Sequence, residues 1–81
     1  MLINNKEVDI SPKADLSWAN LSDADLTCTN LNGANLGSAY LSGADFRGAS
    51  LCGANLRKAD LRWTDFRGAD LNYVKFEDTI F

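Results

Sequence analysis

The chain has 81 residues and a formal net charge of −3, and it contains no histidine and only two cysteines. These features exclude imidazole catalysis and a disulfide framework. Its start lacks the basic and apolar segments of a secretory signal, and no apolar run is long enough to span a membrane. The composition therefore predicts one small cytoplasmic domain with no membrane contact.

Residues 1–13 do not share the pattern that governs the rest of the chain. Val8 and Ile10 are apolar at strand spacing, and Pro12 follows as a stop signal. The end of a repetitive β structure exposes core and unpaired strand edges, which must be covered. We therefore expect residues 1–13 to form an N-terminal cap that includes a strand around Val8 and Ile10.

From residue 14 onward, an apolar residue returns every five residues to the end of the chain. These positions are Leu16, Leu21, Leu26, Leu31, Leu36, Leu41, Phe46, Leu51, Leu56, Leu61, Phe66, Leu71, Phe76 and Phe81. Two residues before each stands mostly Ala, and Asp or Asn usually lies between the two, as in Ala14-Asp15-Leu16. A strict short period of this kind is typical of repeat proteins.

The five-residue period fits neither the stripe of an α-helix nor one face of a flat strand. The small residue and the Leu are two apart, so both can point inward, and the next two residues must turn a corner. Three extended residues span about 10 Å, which is also the distance between packed sheets. Four walls therefore close a well-packed circuit, and residues 14–81 make about 3.5 coils of such a solenoid.

The tandem pattern Ala-Asp/Asn-Leu-x-x over residues 14–81 resembles the pentapeptide-repeat proteins. The resemblance implies an all-β fold, a right-handed quadrilateral parallel β-helix. It also implies a bacterial or phage protein, since relatives inhibit or regulate such systems and some mimic duplex DNA and bind gyrase. Departures from the pattern occur at Tyr40 and Ser50 in the Asp/Asn position, and residues 74–81 are expected to form a frayed or capping C-terminal coil.

A solenoid whose interior is filled with side chains offers no cleft to a substrate. We therefore expect neither enzyme activity nor a cofactor or metal. Basic side chains such as Arg47, Arg57 and Arg67 are interleaved with Asp, so the sequence argues against direct nucleic-acid binding.

Three acidic side chains, Asp25, Asp45 and Asp65, are twenty residues apart and should stack on one wall. Arg47 and Arg67 follow two residues after two of them and are expected to pair with them. An acidic strip can resemble a phosphate backbone. The resemblance therefore implies an alternative function, a DNA mimic that binds a DNA-handling enzyme such as gyrase.

Aromatic residues at outward or corner positions are the other unusual feature of the surface. Tyr40 and Trp63 share one wall with Arg62, a combination typical of interface hot spots. The alternative is that the rings only cover a corner of the solenoid. We expect Tyr40, Arg62 and Trp63 to form a contact patch for an unidentified protein partner, which the chain modulates or inhibits.

The C-terminal coil, residues 74–81, is expected to present Phe76, Ile80 and Phe81 as an apolar end. An exposed apolar patch is typical of an interface. Members of the resembled family often dimerise through their C-terminal coils. We therefore expect a two-fold homodimer joined end to end at these three residues.

Overall fold

The computed structural model describes all 81 residues and contains two short strands and no helix. Strands β1 (Leu2–Ile3) and β2 (Lys6–Glu7) form an antiparallel hairpin, and the rest consists of turns joined by isolated parallel bridges. None of its segments is a helix of the length and apolarity that crossing a membrane requires. The molecule measures 30 × 22 × 21 Å along its principal axes.

Every five-residue unit ends in a β-turn. The carbonyl of the central Leu or Phe accepts a hydrogen bond from the N–H three residues later, as from Ala19 to Leu16 at 3.1 Å. The residue two after the central one, which we call the corner position, has positive φ in every unit from Lys13 to Asp78. A positive φ at the third residue of a turn is the geometry of type II.

Glycine occupies five of these corner positions, because it adopts positive φ without steric cost. A Cβ at Gly43 would lie 2.2 Å from Oδ1 of Asp23 in the preceding coil, so a larger residue there would displace the exposed Asp23 carboxylate. Packing between coils therefore adds to the local turn requirement at this corner.

The Asp and Asn side chains between the small and the central residue support the same turns. All ten accept a hydrogen bond from the backbone N–H two residues later, as Asp15 does from Ser17 at 3.2 Å. Such Asx bonds stabilise turns locally. The predicted role of these side chains in turn support is confirmed.

Successive coils pair in parallel through residues twenty apart. Leu16 donates to the carbonyl of Asn35 at 2.7 Å, and Asn35 donates back to the carbonyl of Ala14 at 2.9 Å. The same pattern gives bridges from Asp15 to Asn35 and from Asn35 to Asn55. Twenty residues are four units, so each coil has four sides, and the fold is a right-handed quadrilateral parallel β-helix, as predicted.

We number the four faces in chain order by their central residues. Face 1 contains Leu16, Leu36, Leu56 and Phe76, and face 2 contains Leu21, Leu41, Leu61 and Phe81. Face 3 contains Leu26, Phe46 and Phe66, and face 4 contains Leu31, Leu51 and Leu71.

The interior is a column of inward-pointing Ala and Leu or Phe side chains. The central residues from Leu16 to Leu61 are all buried, and no polar or charged residue is buried with them. Phe66, Leu71 and Phe76 are only partly buried, because they belong to the last coil. The predicted core is therefore confirmed, with burial decreasing toward the C-terminal end.

The N-terminal hairpin packs on the first coil through Ile3, which is 6% exposed. Asn4 and Asn5 connect its strands with φ of 50° and 65°, the positive values of a type I′ turn. The expected strand around Val8 and Ile10 is wrong: the strands lie earlier, where this Asn-Asn turn sets the pairing. Val8 and Ile10 instead pack, partly buried, against the core.

Asn4 also satisfies backbone groups at the upper edge of the solenoid. In the second coil the carbonyls of Tyr40 and Ser42 accept hydrogen bonds from the coil above. The equivalent carbonyls of the first coil, Asn20 and Ser22, have no coil above them and accept from Nδ2 of Asn4 at 3.3 and 3.2 Å. We propose on this basis that residues 1–13 act as the N-terminal cap.

The last units keep the solenoid geometry although their sequences depart from the pattern. Lys75 donates to the carbonyl of Ala54 at 3.1 Å, and Ile80 donates to that of Ala59 at 2.9 Å. The backbone ladder therefore continues into residues 74–81, since it does not need Asp or Asn side chains. That these residues form a frayed or capping coil stays a prediction.

Ser50 shows how the fold replaces a missing Asx bond. Oδ1 of Asn32, in the preceding coil, accepts the N–H of Cys52 at 2.9 Å and also the Ser50 hydroxyl. A side chain from the neighbouring coil thus takes the place of the local one.

Candidate protein-binding surface

Face 2 carries the predicted contact patch. The side chains of Tyr40 and Trp63 are 51% and 81% exposed, and the guanidinium carbon of Arg62 lies 5.6 Å from the centroid of the Trp63 ring. This distance is that of a cation–π contact. The structure therefore brings Arg62 and Trp63 into direct contact, and Tyr40 lies in the coil above on the same face.

Asp60 fixes the orientation of Arg62. Nε and Nη2 of the arginine donate to Oδ1 and Oδ2 of Asp60 at 2.9 and 2.6 Å, a bidentate pair. These side-chain bonds, with the Arg62 backbone N–H, lower the pKa of Asp60, and Asp60 in turn raises the pKa of Arg62. The guanidinium is therefore held in one orientation over the Trp63 ring.

Three of the five exposed aromatic residues occupy corner positions. Trp18, Trp63 and Tyr73 have φ of 64°, 59° and 63°. The left-handed region costs a residue with a Cβ about 1–2 kcal/mol, and glycine avoids this cost. Trp18 is 69% and Tyr73 is 85% exposed, so burial recovers little of the cost. Packing within the chain does not explain why these corners carry large rings.

A shallow groove of ≈ 290 Å³ follows the edge between face 1 and face 2. Its lining residues are Trp18, Ser38, Ala39, Tyr40, Lys58, Asp60 and Ile80. Tyr40 and Ile80, predicted as parts of separate sites, thus line the same groove. Their separation of forty residues, which is two coils, could have predicted this proximity, because it places both residues in one column of the same face.

On face 3, Arg47 and Arg67 pair with the acidic strip as predicted. Arg47 contacts Asp45 at 2.7 Å and Arg67 contacts Asp65 at 2.6 Å, and Arg47 also lies 3.9 Å from Asp65. The hydrogen bonds from the Arg67 side chain and backbone lower the pKa of Asp65 to about 2. Positive charge therefore alternates with negative charge over the lower part of this face.

Asp25 is the one member of the strip without an arginine partner. Its carboxylate accepts hydrogen bonds from the hydroxyl of Thr27 at 2.7 Å and from the Thr27 backbone N–H, which together lower the pKa of Asp25. The three predicted acidic residues share one face. They do not form a continuous uncompensated strip.

The C-terminal end presents the three apolar residues predicted for a dimer interface. Ile80 and Phe81 are 52% and 77% exposed, and the ring of the half-buried Phe76 lies 5.9 Å from that of Phe81. The backbone N–H groups of Phe66 and Leu71, in the same coil, have no backbone acceptor. This end thus combines apolar surface with an unpaired strand edge.

Five-residue units, four faces per coil and a filled apolar interior define the class of quadrilateral β-helices. The family model for pentapeptide repeats (8 copies) matches residues 14–51 and 44–81, so the chain belongs to the pentapeptide-repeat family.

Among solved structures, the chain is similar to HetL of the cyanobacterium Nostoc sp. strain PCC 7120, a pentapeptide-repeat protein involved in the regulation of heterocyst differentiation. The two are 41% identical with a TM-score of 0.57, over 83% of this chain and 34% of HetL. The chain therefore spans about a third of the length of that relative. The comparison with curated proteins gave no match.

Proposed function

We propose that this chain is a non-catalytic protein-binding module of the cytoplasm, which contacts a protein partner through Tyr40, Arg62 and Trp63 and modulates or inhibits it. The observation that carries the proposal is the exposed pair of Arg62 and Trp63, held in place by Asp60. Exposed aromatic and arginine side chains on a rigid support are typical of hot spots, because little entropy is lost when they are buried.

The relationship to HetL supports a regulatory role of this kind. HetL is involved in the regulation of heterocyst differentiation, and it has the same repeat architecture. A regulator that acts by contact needs a stable surface rather than a cleft.

The test is capture of partners from a lysate of the native host by the wild-type chain and by the double variant Tyr40→Ala/Trp63→Ala. Tyr73→Ala is the matched control, since Tyr73 is 85% exposed at a different corner. The proposal requires a partner that the wild type and Tyr73→Ala retain and the double variant loses. Retention by all three would refute the contact patch.

We further propose a two-fold homodimer through Phe76, Ile80 and Phe81. The exposed rings and the unpaired backbone groups of this end support it, because a second copy would cover both. Light scattering at micromolar concentration should give a dimeric mass for the wild type and a monomeric mass for Phe81→Asp. A monomeric wild type would overturn the dimer.

DNA mimicry by Asp25, Asp45 and Asp65 is the alternative function. It would need a continuous acidic face, whereas Asp45 and Asp65 are paired with arginines. Inhibition of gyrase supercoiling by low micromolar protein would favour the alternative over the binding module.

A further inference from the structure

We propose that the groove between face 1 and face 2 binds a proline-rich segment of the partner in the polyproline II conformation, with an acidic residue placed beside Lys58. The proposal rests on the proposed function, because it names the class of segment that the module recognises. It adds Trp18 and Lys58 to the contact surface. It also adds Ile80, which belongs to the proposed dimer interface as well, so the segment and a second copy of the chain would compete for Ile80.

The shape of the groove follows from the repeat. The Ala column that includes Ala39 points inward, and this leaves a trough between the corner column and the column of Tyr40 and Ile80. One wall carries Trp18, Ser38 and Lys58, and the other carries Tyr40, Asp60 and Ile80. The trough therefore runs along the solenoid axis, with a narrow floor and with apolar side chains at Trp18, Tyr40 and Ile80.

The length scale of the trough matches that of a polyproline II helix. Tyr40 and Ile80 occupy the same column two coils apart, which is about 9.6 Å along the axis. A polyproline II helix rises about 3.1 Å per residue with three residues per turn, so its side chains on one side recur about every 9.3 Å. A single segment lying along the trough can thus place successive side chains of one side against Tyr40 and Ile80.

The groove also excludes the commonest alternative, addition of a β-strand. Strand addition needs free backbone donors and acceptors, but Tyr40 already donates to Ala19 at 2.9 Å and Asp60 donates to Ala39 at 3.0 Å. Recognition must therefore come from side chains. The rings of the exposed Trp18 and Tyr40 suit proline, and their indole N–H and hydroxyl groups are donors for the unpaired carbonyls of a polyproline II segment.

The acidic residue of the segment is inferred from the charge of Lys58 in the groove. Lys58 makes no ion pair within the chain, whereas the other charged side chain of the groove, Asp60, is bound by Arg62. The groove thus offers one free cation. The segment does not lie within these 81 residues, which contain a single proline, Pro12.

The test is NMR titration of the full ¹⁵N-labelled chain with a blocked oligoproline peptide that carries one central glutamate. The indole N–H signal of Trp18 should shift saturably, and that of Trp63, which lies outside the groove, should not. Tyr40→Ala should weaken binding by about tenfold or more, while Tyr40→Phe, which keeps the ring, should weaken it less. Lys58→Glu should weaken binding of this peptide and strengthen binding of the same peptide with lysine in place of glutamate.

The matched control peptide replaces every proline by alanine and keeps the glutamate. Equal binding of both peptides, or no shift of the Trp18 signal, would overturn the proposal. The same would follow if an oligothymidine strand gave the Trp18 shift and the proline peptide did not, because the groove would then be a base-stacking surface.

Failure of this inference is distinguishable from failure of the proposed function. If the oligoproline does not bind but Tyr40→Ala/Trp63→Ala still loses its partner, the module stands and only the class of segment is wrong. If the double variant keeps every partner, the module itself is refuted.

Discussion

The rings of Phe46 and Phe66 stack inside face 3 with centroids 5.3 Å apart and planes inclined by 6°. Twenty residues separate them, so the repeat places one ring directly below the other. Phe46 is fully buried, and Phe66, in the last coil of this face, is partly buried.

Replacing each of these rings by the methyl group of alanine should therefore lower the free energy of unfolding by unequal amounts. Phe46→Ala should lower the free energy of unfolding by about 3–5 kcal/mol, because it leaves a cavity inside the column. Phe66→Ala should cost less, since its site is closer to solvent. Denaturant unfolding of both single variants and the double variant measures the losses and their coupling, for which about 0.5–1.5 kcal/mol is expected from stacking. An equal loss for both would contradict the burial gradient.

The ion pair of Asp65 and Arg67 should stabilise the fold in a defined pH range. The pKa of Asp65 is lowered to about 2 in the folded chain, below the value of about 3.9 in an unfolded chain. The stabilisation is present at a pH above the pKa of Asp65 in the unfolded chain, and it is lost as the pH falls through the pKa of Asp65 in the folded chain. Asp65→Asn, which can still accept the Asx bond, should lower Tm near neutral pH and should lose its effect near pH 2, about the folded value.

Asp70→Asn is the control for this measurement. Asp70 occupies the same position of the repeat and accepts the N–H of Asn72, but it makes no ion pair. Near neutral pH, Asp70→Asn should lower Tm less than Asp65→Asn does, because no arginine partner is lost. Equal changes in Tm for the two variants would show that the pair with Arg67 adds nothing.

Trp63→Gly should separate stability from binding. Trp63 has φ of 59° and is 81% exposed, so glycine removes backbone strain at the loss of little burial. We expect Tm to be unchanged or higher, while capture of the partner is lost. Residues on functional surfaces often lower stability in this way. Tyr73→Gly is the control and should leave partner capture intact. A marked fall in Tm for Trp63→Gly would mean that the ring is structural cover.

Asn4→Gly tests the hairpin as a cap. Glycine keeps the positive φ of 50° but removes the two hydrogen bonds to Asn20 and Ser22. We expect a loss of about 1–2 kcal/mol in the free energy of unfolding, and faster amide exchange in the first coil. Asn5→Gly, at φ of 65° beside it, is the matched control and should be neutral. Equal effects of the two variants would argue against the cap.

The five-residue period of apolar residues was enough to predict the four-sided coil and its apolar interior, because both follow from which side chains point inward. The Asx bonds were also predictable, since each joins a side chain to an N–H two residues away, as from Asp15 to Ser17. The pairing of Arg67 with Asp65 follows from the same short spacing. Interactions within one unit repeat with the sequence and can be read from it.

Tertiary structure decided the interactions that cross between coils or between segments. Asn32 replaces the missing Asx bond at Cys52, and Asn4 covers two carbonyls of the first coil, although nothing in the local sequence marks either role. The groove likewise exists only because stacking brings Trp18, Tyr40 and Ile80 to one edge. Such contacts depend on the rise and alignment of the coils, which fix distances between residues far apart in the chain.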